Sequence, residues 1–287
     1  PTRGPEPWAA RQRPVTQHLQ DTANPRVQSP HLNIAIRSAR RAGDILRRER
    51  TRLDRHDVDR KGRFDYDSEV DRACEEAIID SIRQAYPDHG ILGEESGQHG
   101  SSRYQWIIDP LDGTSNYLHD IPHYAVSIAL ALDGKVEQGV IYDPIREELF
   151  TATRGRGALL NDRKLRCSAR QNLDGAVLAT GFPYRRRKRI PAHLGMCQDF
   201  FRQIEDLRRA GTACLDLAYV AAGRIDGFWE IGLKPWDMAA GALLVREAGA
   251  IAVDFDGGGD FLDSGNIIAA PYKLIAPMQQ VISKHWK

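Results

Sequence analysis

The sequence contains no run of roughly 18–20 apolar residues of the kind that crosses a bilayer, and its first residues lack the short apolar core of a secretion signal. Both absences argue against a membrane partner and lead to the expectation of a cytoplasmic location. Cysteine is scarce: Cys74, Cys167, Cys197 and Cys214 form no Cys-x-x-Cys pair and show no zinc-ligand spacing, so reduced, mostly buried thiols are expected. An excess of charge of one sign is missing too. Lys+Arg 40 against Asp+Glu 39 leaves a net +1, so no global field draws the chain to nucleic acid. A P-loop, a Gly-x-Gly-x-x-Gly turn, a Gly-x-Ser-x-Gly elbow and a fixed-period repeat are all missing. The usual signals of nucleotide cradling, serine hydrolysis and solenoid repeats go with them.

What is present is the composition of a packed protein, with 41% hydrophobic and 28% charged residues. Residues 1–30, with Pro1, Pro5, Pro7, Pro14, Pro25 and Pro30 among polar side chains, read as a flexible extension. Residues 31–287 read as one catalytic domain of two lobes. Leu32, Ala35, Ile36, Ala39, Ala42 and Leu46 recur at three- and four-residue steps, which predicts an opening helix. Val70, Cys74, Ala77, Ile78, Ile82 and Ala85 predict a second, capped by Asp67 or Ser68, ended by Pro87, and carrying Asp71 in its first turn. Short strand-like runs follow at Ile91-Leu92 and Trp106–Ile108. Ala125–Leu132 and Val136–Tyr142 are joined by Asp133-Gly134, a hairpin signal. The second half alternates strands (Ala176–Ala179, Ile225–Trp229, Ala250–Val253, Ile267–Ala270) with helices (Leu215–Ala222, Trp236–Ala248, and the tail from Tyr272). The expectation is a layered α/β fold with mixed sheets, partly antiparallel.

The chemistry concentrates in Trp106–Asn116, where an apolar strand runs into a Pro/Gly turn bearing Asp109 and Asp112. An isolated Asp-x-x-Asp turn usually caps backbone groups. This one has company: Glu94 and Glu95 follow a short apolar run upstream, and Asp237 stands at a helix start downstream. Carboxylates without nearby His or Cys suit a hard divalent cation, and Mg²⁺ prefers a few carboxylates plus water and substrate phosphate. Gly113 lets backbone approach a ligand closely, and Thr114 and Ser115 open a short helix whose free N–H groups face an anion.

Gly93–Gly97, Trp106–Asn116 and Pro235–Gly249 together resemble the three signatures of the inositol monophosphatase family, and the resemblance runs from about Leu32 to the C-terminus. It implies an alternating α-β-α-β-α sandwich of the sugar-phosphatase type. It implies metal ligation by Glu94, Asp109, Asp112, Asp237 and the Leu111 carbonyl, with two or three Mg²⁺ ions and inhibition by Li⁺. It further implies that Asp71, Thr114 and Glu94 are catalytic. Gly113 and Thr114 would hold phosphate through backbone N–H groups, while Asp112, Ala213 and Glu230 would contact substrate hydroxyls. The substrate so implied is a small phosphorylated polyol, inositol 1-phosphate first, with fructose-1,6-bisphosphate or 3′-phosphoadenosine 5′-phosphate as alternatives; a homodimer is implied as well. The match is nearest to the bacterial SuhB-type branch, which implies a second kind of role in transcription antitermination, with RNA or protein as partner.

Two departures stand out. Asp67 and Ser68 occupy positions where the family usually has an apolar residue and Thr, and Glu69 adds a further acid. Arg185-Arg186-Arg187-Lys188-Arg189 reads as a solvated basic loop, or alternatively as a contact for RNA or an acidic protein. His119 and His123 read as surface or packing residues, and Trp106, Trp229 and Trp236 as packing residues.

Overall fold

The Ser29 carbonyl accepts the first helical bond, from Asn33 N–H at 3.1 Å, and Pro30 takes the next position, where its missing N–H has no role to play. So begins α1 (Pro30–Arg50), which buries Leu32, Ala35, Ala39, Ala42 and Leu46 as their spacing predicts. The structure is a computed structural model that describes residues 29–50 and 69–286. Of the expected extension over residues 1–30, residues 1–28 lie outside those residues, as does the Asp67/Ser68 cap, while Pro30 belongs to α1. Helix α2 (Glu69–Ala85) packs along α1, with Cys74, Ile78 and Ile82 inward. Its buried face also carries two acids, Asp71 and Glu75, each 2% exposed.

Strands β1 (Gly90–Gly93), β2 (Gly97–His99), β3 (Tyr104–Asp112), β4 (Ala125–Leu132), β5 (Lys135–Asp143), β6 (Glu148–Thr153), β7 (Gly157–Leu160) and β8 (Arg163–Lys164) form a sheet ordered β2-β1-β3-β4-β5-β6-β7-β8. Only β1 and β3 pair in parallel; the rest is antiparallel. Asp133 and Gly134 both have positive φ, 49° and 79°, as the two-residue β4–β5 hairpin requires. A second sheet takes β9 (Val177–Thr180), β10 (Asp206–Arg208), β11 (Gly227–Ile231), β12 (Ile251–Val253) and β13 (Asn266–Ala270) in the order β10-β9-β11-β13-β12. The helices between these strands are α3 (Thr114–Leu118), α4 (Ile190–Phe201), α5 (Ala213–Ala221), α6 (Pro235–Glu247), α7 (Phe261–Ser264) and α8 (Tyr272–His285).

Five layers result. Helices α1 and α2 cover one face of the large sheet, α5 and α6 fill the space between the sheets, and α4 and α8 cover the outer face of the second sheet. The expected α-β-α-β-α sandwich is thus the observed fold. Helices α5 and α6 lack an amphipathic stripe because apolar surface meets them on nearly every side. Leu215, Leu217, Val220, Leu244 and Val245 are fully buried, each worth about 1.5–3 kcal/mol. Among the described residues no helix is long and apolar enough to cross a membrane. The sequence reading passed over β6–β8, β10 and α4, whose short or irregular apolar patterns carry little periodic signal.

Helix α6 approaches the large sheet so closely that a Cβ on Gly139 of β5 would sit 3.0 Å from both the Cα and the carbonyl oxygen of Ala240. Backbone cannot yield as a flexible side chain can. Gly139→Val is therefore expected to lower unfolding stability by about 1–3 kcal/mol, read as a lower urea midpoint with an unchanged m-value.

Candidate active site

The acids of the site are delivered by three chain segments that end at one place: the turn after β1, the end of β3 and the first turn of α6. Asp109 and Asp112 face Ser127 and Ala125 of β4, so three residues on β3 span what two span on β4. This bulge answers a geometric difficulty. Residues three apart on a regular strand point to opposite faces, and one extra residue re-aims the second. Pro110 fits within it because it has no N–H to leave unpaired. Asp109 is buried and accepts the Leu111 N–H at 3.1 Å, while the Thr114 hydroxyl donates to the Leu111 carbonyl at 3.0 Å.

Gly113 joins β3 to α3 at φ 97°, and a Cβ there would lie 2.6 Å from the Thr212 hydroxyl. Glycine is required on both counts. Asn116 then clamps the turn, its amide donating to the carbonyls of His123 at 2.7 Å and Ala210 at 3.0 Å. That clamp brings the start of α5 against Asp112, whose Oδ2 accepts the Cys214 N–H at 2.6 Å. Ala213 is the first residue of that helix.

Glu94 is placed by its N–H bond to the Ile108 carbonyl at 3.1 Å, which ties the turn to β3. The turn itself is held by Glu75, whose carboxylate accepts the N–H groups of Glu95 at 3.0 Å and Ser96 at 2.8 Å. Sequence reasoning missed Glu75. The available signal was an acid four residues after Asp71, on the face of α2 that carries the apolar stripe. Asp237 sits at the third position of α6, where its Oδ2 accepts the Lys234 N–H at 2.8 Å as a capping group.

Electrostatically these acids form one unit. Burial and the charges of Glu94, Asp112 and Asp237 push Asp109 well above the carboxylate range. Burial, then Asp237, raises Asp112 to about 7 against the lowering effect of the Cys214 N–H. Glu94 is raised by burial and by Asp237, and shares a hydrogen bond with Asp109. Desolvation raises Asp237 against the opposing pull of Arg185. Among the described residues no three His, Cys, Asp or Glu side chains are drawn tightly enough to enclose an ion as they stand. A guanidinium lies among them instead: Arg185 reaches Asp237 at 3.3 Å and Glu94 at 3.4 Å. The donors are all oxygens, mutually repelling and already balanced by a cation, which fits a hard divalent ion.

Glu230 of β11 is half-buried and directly beneath Gly181, whose Cβ, if present, would lie 2.2 Å from the carboxylate. Burial and the charges of Asp237, Asp216 and Asp112 raise its pKa strongly. Asp216 was also missed by sequence reasoning; it is a lone acid inside the otherwise apolar α5 and is itself raised by burial and Asp112. Asp71 is buried one turn before Glu75, with Glu95 and Cys74 as electrostatic neighbours. Glu69 is exposed in the first turn of α2, and Asp67 lies outside the described residues. His119 is exposed, and His123 packs edge-on to Tyr219, the surface and packing roles expected of them. Trp106 and Trp229 fill core volume. A cavity of about 250 Å³ lined by Arg154, Arg246, Asp260 and Asp263 shares no residue with this basin, so chemistry and not cavity size picks out the site.

The basic run is not a uniformly solvated face. Arg185 turns into the acids, Arg186 donates to the Ser264 carbonyl at 2.8 Å, and Arg189 lies 4.2 Å over the Trp286 ring. All four cysteines are free thiols; Cys74, Cys197 and Cys214 are buried and Cys167 is half-buried.

A carboxylate basin beside a left-handed glycine turn, in a fold of two mixed sheets layered with helices, is the arrangement of a phosphatase-type fold. The model of the inositol monophosphatase family matches residues 27–286, and the chain belongs to that family. It is 51% identical over 262 residues to the Nus factor SuhB of Pseudomonas aeruginosa, covering 89% of this chain and 97% of that protein. Among solved structures, the extragenic suppressor protein suhB of Bartonella henselae superposes with a TM-score of 0.83 at 44% identity, over 89% of this chain and 99% of that one. The inositol monophosphatase of Anabaena (Nostoc) sp. PCC 7120 superposes with a TM-score of 0.79 at 36% identity, over 88% and 95%. Family membership supports phosphatase activity.

The raised carboxyl groups set a pH dependence. Unfolded carboxylates titrate near about 4, whereas folded Asp112 titrates near about 7. The folded state therefore holds extra protons across that window, and stability present at its acid end is lost as pH rises through it. In EDTA, calorimetry is expected to show the melting temperature falling between about pH 5 and about pH 8, with added Mg²⁺ removing most of the fall. A profile that rises with pH in EDTA contradicts this account of the basin.

Proposed function

We propose that the chain is a Mg²⁺-dependent phosphomonoester hydrolase acting on a small phosphorylated polyol, with inositol 1-phosphate the leading candidate. The observation that carries this reading is the convergence of Glu94, Asp109, Asp112 and Asp237 beside the Gly113–Thr114 turn. These four side chains and the Leu111 carbonyl would hold two or three Mg²⁺ ions, at a site that Li⁺ would also enter. When bound, such cations neutralise the phosphomonoester, acidify the attacking water and offset charge on the leaving alkoxide.

The chain's own residues do the rest. Backbone N–H groups of Gly113 and Thr114 hold phosphate oxygens, fixed by the left-handed turn. Asp71 and Thr114 orient the attacking water; the hydroxyl of Thr114 is itself positioned by its bond to the Leu111 carbonyl. Direct attack by water leaves no phosphorylated enzyme group in the cycle. On the far side, Asp112, the start of α5 at Ala213, and Glu230 receive the polyol hydroxyls. A carboxyl that keeps its proton can donate a hydrogen bond as well as accept one, and the strongly raised Glu230 meets that description. Fructose-1,6-bisphosphate and 3′-phosphoadenosine 5′-phosphate are the competing substrates, because the basin reads the phosphate and not the group it leaves. A homodimer belongs to the same reading.

A second role rests on a different observation, the 51% identity to a protein named Nus factor SuhB. In that role the chain joins transcription antitermination machinery or RNA through its surface, independently of the basin.

Phosphate release from inositol 1-phosphate is expected to vanish in EDTA and return with Mg²⁺. Asp109→Asn is expected to lower kcat about 100-fold or more, without loss of metal-free melting temperature, since the amide oxygen still accepts the Leu111 N–H and no charge is buried. Turnover that persists in EDTA sinks the hydrolase mechanism. For the second role, Asp109→Asn is expected to support antitermination of a ribosomal RNA operon as well as the wild type does; failure there ties that role to the basin.

A further inference from the structure

Arg185 occupies a position that the phosphatase reading leaves without a task. It is the first residue of a basic run in a 3-10 turn, Tyr184–Arg189, that crosses the mouth of the carboxylate basin after Gly181-Phe182-Pro183. Its Nη1 donates to Asp237 at 3.3 Å and its Nη2 to Glu94 at 3.4 Å, so one guanidinium bridges acids from the β1 turn and from α6. Asp109 and Asp112 also lie within its field. These contacts are long beside the usual 2.7–2.9 Å of a charge-assisted bond, so the grip is loose.

The geometry of exposure matters here. The Arg185 side chain is 50% exposed while the Asp237 side chain it touches is 6% exposed. The cation therefore comes from the solvent side, and its exit path is open. Its backbone is fixed independently: Arg186 is tied to the Ser264 carbonyl and packs its stem on Gly232, and Arg189 lies over Trp286. Only the Arg185 side chain has to move for the basin to exchange one cation for another.

We propose that Arg185 is a tethered counter-cation for the carboxylate basin, neutralising Glu94 and Asp237 while no divalent ion is bound and competing with such an ion for the same two carboxylates. The proposal rests on the metal-site reading given under Proposed function. A guanidinium presents one delocalised charge on a planar fork, whereas Mg²⁺ presents two charges to an octahedral oxygen shell. Both cannot satisfy Glu94 and Asp237 at once. The tethered cation thereby lowers the strain of four like charges in the metal-free protein and raises the concentration of divalent ion needed to fill the site. The consequence is a phosphatase whose basin fills at a higher free Mg²⁺ concentration than an unguarded basin would.

The test uses the full-length chain stripped of metal, titrated with MgCl₂ by isothermal calorimetry and melted with and without EDTA. Arg185→Gln is expected to bind Mg²⁺ about fivefold or more tightly than the wild type, and to melt at a lower temperature in EDTA. Arg185→Lys, which keeps the charge but loses the fork, is expected to fall between them. Lys188→Gln removes the same charge from the exposed end of the segment and is expected to match the wild type. Unchanged or weaker Mg²⁺ binding in Arg185→Gln, with circular dichroism unchanged, overturns the proposal. A wild type that binds no Mg²⁺ overturns the metal-site reading and this proposal together, so the two failures are told apart by the wild-type titration.

Discussion

Everything in this molecule is arranged around a repulsion. Glu94, Asp109, Asp112 and Asp237 are buried close enough that each raises its neighbours' affinity for a proton. Such a group of charges survives in a low-dielectric interior only if compensated by protons, by a cation or by fixed dipoles. The structure supplies all three kinds of compensation. Asp109 and Glu94 share a hydrogen bond, Arg185 leans in from solvent, and the N–H groups of Leu111, Cys214 and Lys234 point at the acids.

The scaffold that enforces this closeness is stiff at the positions that matter. The bulge in β3 sets the angle between Asp109 and Asp112; Gly113 permits the reversal into α3; the Asn116 amide locks that reversal to the α5 start; and Glu75 holds the Glu94 turn from behind. Neither Asn116 nor Glu75 is itself a proposed ligand. A basin of like charges relaxes outward wherever its frame allows, so rigidity of the frame is what keeps the acids together. The layered core provides that rigidity: α5 and α6 are clamped between two sheets, and both help to shape the basin.

The basic run shows how context reassigns charge. By composition Arg185–Arg189 is a solvated patch or a polyanion contact. In the folded chain one arginine balances the acids, the next caps a loop carbonyl and the last stacks on an indole ring. Long flexible side chains carry no fixed direction in the sequence; direction comes from whichever partner the fold brings within reach.

The sequence by itself determined the layered α/β fold, because helix and strand periodicities are local and α1, α2, the β4–β5 hairpin, β9 and β11–β13 carry strong apolar patterns or turn chemistry. It also singled out the acids that the fold gathers, Glu94, Asp109, Asp112 and Asp237, since they stand in three motifs at element ends. Tertiary structure alone decided that Arg185 enters the basin, that Glu75 rather than an apolar side chain supports the Glu94 turn, and that Asp216 joins Glu230 beneath the site. Each of these brings together side chains that local periodicity does not relate, Arg185 and Glu94 lying 91 residues apart in the chain. Such contacts leave no local period to read, because they depend on where two faces meet and not on what either segment prefers.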